Sequence, residues 1–169
     1  GYSHLMVSNF NQNLGLVEGD RDDATGKFIL FAGSPLERIA SDADLNSRQL
    51  QTPSQGINHF KIALDNNIAL GTGRLQFNIG YQRYQRKEFG DPEAPTSPEL
   101  YFDLRTVNYN LQYHFADMNG WKTSIGVNGM QQQNQNKADE VLIPEYKLFD
   151  AGLFVYTRKT FNDKLTLSG

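Results

Sequence analysis

Between Leu75 and Tyr84 the chain alternates strictly: Leu75, Phe77, Ile79, Tyr81 and Arg83 fall on one parity, Gln76, Asn78, Gly80, Gln82 and Tyr84 on the other. A period of two is the signature of a β-strand with two unlike faces. Here the second face is built of uncharged amides and glycine, where a strand facing bulk water normally carries Lys and Glu. Such a face predicts a wall that is wet but enclosed. The alternation lasts about ten residues, the length a tilted strand needs to cross a bilayer.

The same pattern recurs along the chain. Residues Tyr2 to Gly15 alternate loosely and then leave the apolar zone at Asn9 to Asn13. In Ile57 to Leu70, Phe60, Ile62 and Leu64 alternate with Lys61, Ala63 and Asp65. In Leu100 to Phe115 the apolar parity switches from Leu100, Phe102 and Leu104 to Val107, Tyr109, Leu111, Tyr113 and Phe115, which predicts a bulge or a zone boundary near Arg105 and Thr106. Trp121 to Met130 and Phe149 to Thr157 read as two further strands, and Leu165 begins another. Within the first long connection, Lys27 to Gly33 reads as a short strand, and Leu36, Ile39, Ala40 and Ala43 have the spacing of a helical turn or two.

Connections alternate in length. Long polar ones occupy about 16–56, 86–98 and 131–145; short turns occupy about 71–73, 116–120 and 161–164. Pro92, Pro95 and Pro98 keep the second long connection out of any strand interior. The rhythm is that of an outer-membrane barrel with brief periplasmic turns and extended extracellular loops. It predicts an all-β chain, an antiparallel up-and-down meander of about seven strands. An odd number with the last strand cut at Gly169 predicts a portion of a larger barrel, because an open edge in lipid leaves backbone groups unpaired.

Composition agrees. Of 169 residues 38% are hydrophobic, yet 12% are aromatic, with 11 Phe and 8 Tyr, and the mean hydropathy is −0.56. Few aliphatics with many aromatics and amides suit strands that show lipid on one face and water on the other. A net charge of −3 with scattered cations argues against nucleic acid. The chain has no Cys, hence neither disulfides nor thiolate chemistry. No window approaches the about eighteen apolar residues of a membrane helix. No secretory leader is visible, which suggests a piece of something longer.

Several segments carry a family resemblance. Val17-Glu18-Gly19-Asp20-Arg21-Asp22 with Thr25-Gly26-Lys27-Phe28, then His59-Phe60-Lys61, Gly80-Tyr81-Gln82-Arg83 followed by Arg86-Lys87-Glu88-Phe89-Gly90, and Leu142-Ile143-Pro144-Glu145-Tyr146 resemble, in order and spacing, the barrel of TonB-dependent outer-membrane receptors of the Bacteroidetes type. The resemblance implies a bacterial outer-membrane location and a barrel of about twenty-two strands around a plug domain. It also implies import of a scarce small-molecule or glycan ligand, such as an iron chelate or cobalamin, powered through TonB. Plug, TonB-contacting segment and most strands are outside these residues, so transport is not expected of this chain alone.

Candidate chemistry follows from the faces. Gln76, Asn78, Gln82, Asn108, Asn110, Gln112, Asn128 and Asp150 are expected to line the lumen, where they would bond the plug or a polar ligand or simply fill a hydrated wall. Leu75, Phe77, Ile79, Tyr81, Tyr109, Leu111, Tyr113, Ile125, Val127, Leu153 and Val155 are expected to face outer-membrane lipid. The aromatics Tyr81, Tyr84, Phe89, Tyr113, Phe115 and Trp121 read as interfacial girdle residues near strand ends, with ligand stacking as the competing reading. Asp20 to Gly26 fails as a calcium loop, because Gly falls one place late and Phe31 stands where a bidentate Glu belongs. His4, His59 and His114 stand singly, without a second ligand at metal spacing. Neither a nucleophile elbow nor a phosphate-cradling loop is present, so no enzyme and no cofactor is expected. A self-contained barrel or soluble β-module, or a lipid-modifying barrel enzyme, are the alternatives. Handled alone in water, the chain is expected to self-associate.

Overall fold

The structure, a computed structural model, describes residues 1–16, 19–162 and 164–169. Among them one antiparallel sheet runs in the order β1 (Tyr2–Gly15), β4 (Ser54–Leu70), β5 (Gly73–Phe89), β6 (Leu100–His114), β7 (Trp121–Asn136), β8 (Tyr146–Phe161), β9 (Leu165–Ser168). Every connection joins sheet neighbours, so the sheet is a meander; it is not closed into a barrel. A two-stranded ribbon, β2 (Ile29–Leu30) with β3 (Arg38–Ile39), and one helical turn, α1 (Asp42–Leu45), lie in the connection between β1 and β4.

Tight turns set the register. Leu70 pairs with Gly73 across Gly71-Thr72, and Gly71 at φ 61° supplies the positive φ that a primed hairpin turn requires. Asn119 and Gly120, at φ 55° and 78°, make the Asn-Gly turn between β6 and β7, with the Asp117 carboxylate accepting from the Gly120 N–H at 3.0 Å. The expected turn at 161–164 includes Asp163, and the first segment of the resemblance includes Val17 and Glu18; these lie outside the described residues.

From those turns the ladders run without a bulge. The β5–β6 pairing is continuous from Arg74↔His114 to Glu88↔Leu100, and that of β6 with β7 is equally unbroken. The bulge expected near Arg105 is therefore absent, and the parity switch coincides with a change in which face is covered. Beyond Arg105 the strand leaves the apolar zone and its other face is covered by a connection. Leu100 bridges Glu140, and Leu100 and Phe102 are among the buried apolar residues, with Phe102 5.8 Å from the Tyr84 ring.

Strands also run further than alternation alone predicts. The connections placed at about 86–98 and 131–145 shrink to 90–99 and 137–145, because β5 and β7 stay paired to Phe89 and Asn136. A polar segment makes a strand where its neighbour offers a continuous ladder. Of the helical turn or two expected within Leu36 to Leu50, one forms. Ile39 pairs with Ile29, and only Asp42–Leu45 is helical, closed by a capping box between Ser41 and Asp44. Arg38 holds Asp44 with two bonds of 2.6 and 2.7 Å, and Arg38 foremost, then Ser41, keeps that carboxyl far below the usual carboxylate range.

A single sheet buries little. A compact chain of 19.1 kDa exposes about 8,400 Å², whereas this one exposes 11540 Å², about 3,100 Å² more. Leu153, Phe149 and Val155 are 89%, 72% and 69% exposed. An apolar face of this extent needs a cover.

Candidate functional site: a polar wall and two groups of charge

Cross-strand partners lie in rows, and the rows sort the side chains by face. On one face Leu75–Tyr113–Ile125–Val155, Phe77–Leu111–Val127–Leu153, Ile79–Tyr109–Gly129–Ala151 and Tyr81–Val107–Gln131–Phe149 succeed one another across β5 to β8. These rows contain the whole set expected to meet lipid. The opposite face carries Gln76–Gln112–Gly126–Phe154, Asn78–Asn110–Asn128–Gly152, Gly80–Asn108–Met130–Asp150 and Gln82–Thr106–Gln132–Leu148. These contain the whole set expected to line a lumen. The register thus brings each set together on one side of the sheet.

On the polar face the amides are used by neighbours. Asn78 donates to Asp65, its partner on β4, and His4 lies 3.8 Å from the same carboxylate. Gln112 donates to Ser124 at 3.1 Å, Gln132 to Thr106 at 2.8 Å, and Tyr146 to Gln132 at 2.6 Å. Phe154, an aromatic on the polar face, lies over Gly126, where any Cβ would collide with its ring. The pairing of a bulky ring with a facing glycine keeps both strands close.

Where this wall meets the short turns, a cleft of about 540 Å³ opens between Arg74, His114, Lys122, Ser124 and Arg158. The His114 Nε2 is buried without a hydrogen-bond partner. Burial, and then the nearby Arg74 charge, push the His114 pKa down. Asp117 also lines the cleft, 3.9 Å from Lys122, so Arg74 and Arg158 are the cations left over on a wall that carries the His114 imidazole.

A second group of charge was not anticipated from the sequence. Asp103 is fully buried and accepts from Arg83 Nε and Nη2 at 2.9 and 2.6 Å, from Arg105 Nη2 at 3.1 Å, and from Lys137 Nζ at 2.8 Å. Arg83 foremost, then Arg105 and Lys137, hold the Asp103 carboxyl well below the usual carboxylate range against the opposing effect of burial. Gln85 pairs with Asp103, one place beyond Tyr84, and Arg83 with Arg105, so the cluster straddles the end of the alternating stretch on the side of the long connections. It lies on the same face as the apolar rows. Lys87 and Lys137 flank Tyr101 on that face, their Nζ atoms 4.8 and 5.2 Å from its ring centroid. The available signal was parity: Arg83, Lys87, Asp103 and Arg105 share the odd numbering of Leu75 to Tyr81 and Val107 to Tyr113.

The aromatics divide. Tyr113 and Phe115 stack edge to face at 4.9 Å and, with Trp121 under Lys159, occupy the short-turn rim of the apolar face. Tyr81 contacts Phe60 at its other rim, with 6.4 Å between centroids. Tyr84 lies instead on the polar face between His59 and Phe102, and Phe89 lies at the far end of β5, paired with Ser54. In the first connection the Asp22 carboxylate accepts from the Thr25 N–H and hydroxyl, closing a local turn, and Arg21 donates to the Gly26 carbonyl.

Comparison with family models, with curated proteins and with solved structures finds no match for this chain.

Proposed function

We propose that the chain is part of the wall of a bacterial outer-membrane β-barrel, the apolar rows against lipid and the amide rows toward the lumen. The single observation that carries this reading is the register itself, which stacks Leu75 to Tyr81 and their partners into a mostly apolar field, with Gln131 as its polar member, backed by a field rich in amides. A stretch of ten residues spans about 33 Å along a strand, or roughly 25 Å of membrane at a tilt of about 40°. That is the height of a barrel's apolar band. Long connections at one end and tight turns at the other support the same reading.

The finer assignment is to a TonB-dependent importer of a scarce ligand such as an iron chelate, cobalamin or a glycan. Its support is the ordered resemblance of segments such as Gly80 to Arg83, Arg86 to Gly90 and Leu142 to Tyr146. In that setting the wall amides and the cleft at His114 face a plug domain, while the chain alone carries no ligand across.

Surface labelling of the full-length protein in intact cells tests the location. A Cys at Asp139 should react with an impermeant maleimide on intact cells, and a Cys at Asp117 only after the membrane is opened. Equal labelling of both in intact cells, or recovery of the protein outside the membrane fraction, defeats the proposal.

A further inference from the structure

We infer that the cluster of Arg83, Arg105, Lys137 and Lys87 is a binding site for the phosphate of a lipid headgroup, whose acyl chains lie on the apolar rows beside it. The inference rests on the membrane reading above. One buried carboxylate, Asp103, is shared by Arg83, Arg105 and Lys137, so the group keeps a surplus of positive charge. The side chains of those three are 36%, 45% and 35% exposed, and so keep donors free on the outer side. Asp103 acts as the anchor that fixes their heads in place, and an Arg fork held in this way suits phosphate oxygens. The concentration of cations is local, because the chain as a whole carries a net charge of −3.

Position identifies the partner. Next to the cluster on the same face, Tyr81, Val107 and Phe149 and then Ile79 and Tyr109 form the apolar rows that the acyl chains of one leaflet reach. Arg105 stands four residues along β6 from Tyr109, the partner of Ile79 in the middle of the band, about 13 Å of strand. At a tilt of about 40° that is a rise of roughly 10 Å, close to half the about 25 Å height of a barrel's apolar band. When Tyr109 sits at mid-membrane, Arg105 therefore sits near the headgroups. A soluble anion has no use for these apolar rows; a phospholipid meets both.

The test uses the full-length protein in maltoside micelles and compares phosphatidic acid, diacylglycerol with the same acyl chains, and inorganic phosphate. Binding is read by native mass spectrometry and by the quenching of a fluorescent lipid analogue. Phosphatidic acid should bind at least about tenfold more tightly than diacylglycerol, and the preference should shrink with added salt. The double variant R105Q/K137Q should lose the preference, whereas Lys159→Gln, on the opposite rim, should keep it. A second double variant, K87Q/K137Q, leaves both Arg–Asp103 contacts intact and should lower the preference in part, which covers misfolding of the first. Equal binding of phosphatidic acid and diacylglycerol to a protein that inserts into vesicles overturns this inference alone. Inorganic phosphate that competes at the concentration of the lipid makes the cluster a soluble-anion site and also overturns it. Failure to insert into vesicles at all overturns the membrane reading on which it stands.

Discussion

Tyr109 lies across Gly129, its direct partner on β7, and its hydroxyl donates to the Asp150 carbonyl on β8 at 3.0 Å. The contact ties three strands at mid-sheet. A Cβ at Gly129 would collide with the Tyr109 hydroxyl and with the Asp150 carbonyl oxygen. Gly129→Ala should therefore destabilise the folded sheet by about 1–3 kcal/mol through overpacking. Tyr109→Phe, which removes only the hydrogen bond, should cost about 1 kcal/mol. Urea titrations of the full-length protein in detergent, read by circular dichroism, compare the two.

Ile79 and Asn78 are neighbours in sequence and sit on opposite faces. Ile79→Arg should impair membrane assembly, since a cation against lipid near the midplane costs on the order of 2–4 kcal/mol. Asn78→Arg should be tolerated beside Asp65. Yields of membrane-inserted protein from the two variants decide between this arrangement and its reverse, and equal yields would remove the face assignment.

Acid should weaken the sheet at its long-connection end. The Asp103 pKa is lowered in the folded chain, so its stabilising effect is fully present above the ordinary unfolded value near pH ~4 and is lost as pH falls from there toward the depressed folded value. Asp103→Asn should cost about 1.5–3 kcal/mol at neutral pH and flatten that acid limb. Denaturation midpoints measured from pH 7 down through the carboxylate range show whether the variant and the parent converge at the acid end.

The exposed rows predict association in water. With Leu153 and Val155 mostly uncovered on β8 and Leu5 and Val7 60% and 59% exposed on β1, the isolated chain should be oligomeric without detergent. Light scattering should show a lower mass for the double variant L153K/V155K. A monodisperse monomer of the parent chain would contradict the need for a cover.

Much of this architecture was legible in the sequence, and the reasons are local. The alternation from Leu75 to Tyr84 reports its two faces directly because the strand period is two. Gly71, Asn119 and Gly120 announce their turns through the positive φ they adopt. The Asp103 cluster was not legible, because Arg83 and Lys137 are far apart in sequence and only pairing across β5, β6 and β7 brings them together. The extension of β5 and β7 was hidden for the same reason: Arg86 to Phe89 and Gln131 to Asn136 have polar, loop-like sequences and are held extended by their partners. The helical spacing around Leu36 announced one turn, Asp42–Leu45, while its first half became a ribbon because Ile39 pairs with Ile29.

The face assignment is tested most directly by a cysteine scan. These 169 residues contain no Cys; in a full-length protein freed of any Cys elsewhere, single substitutions from Leu75 to Tyr84 can each carry one spin label in a lipid bilayer. The account predicts a period of two: labels at Leu75, Phe77, Ile79 and Tyr81 relaxed by oxygen dissolved in lipid, and labels at Gln76, Asn78, Gly80 and Gln82 relaxed by a water-soluble nickel chelate. Labels that all respond to the chelate, or that show no alternation, would contradict it.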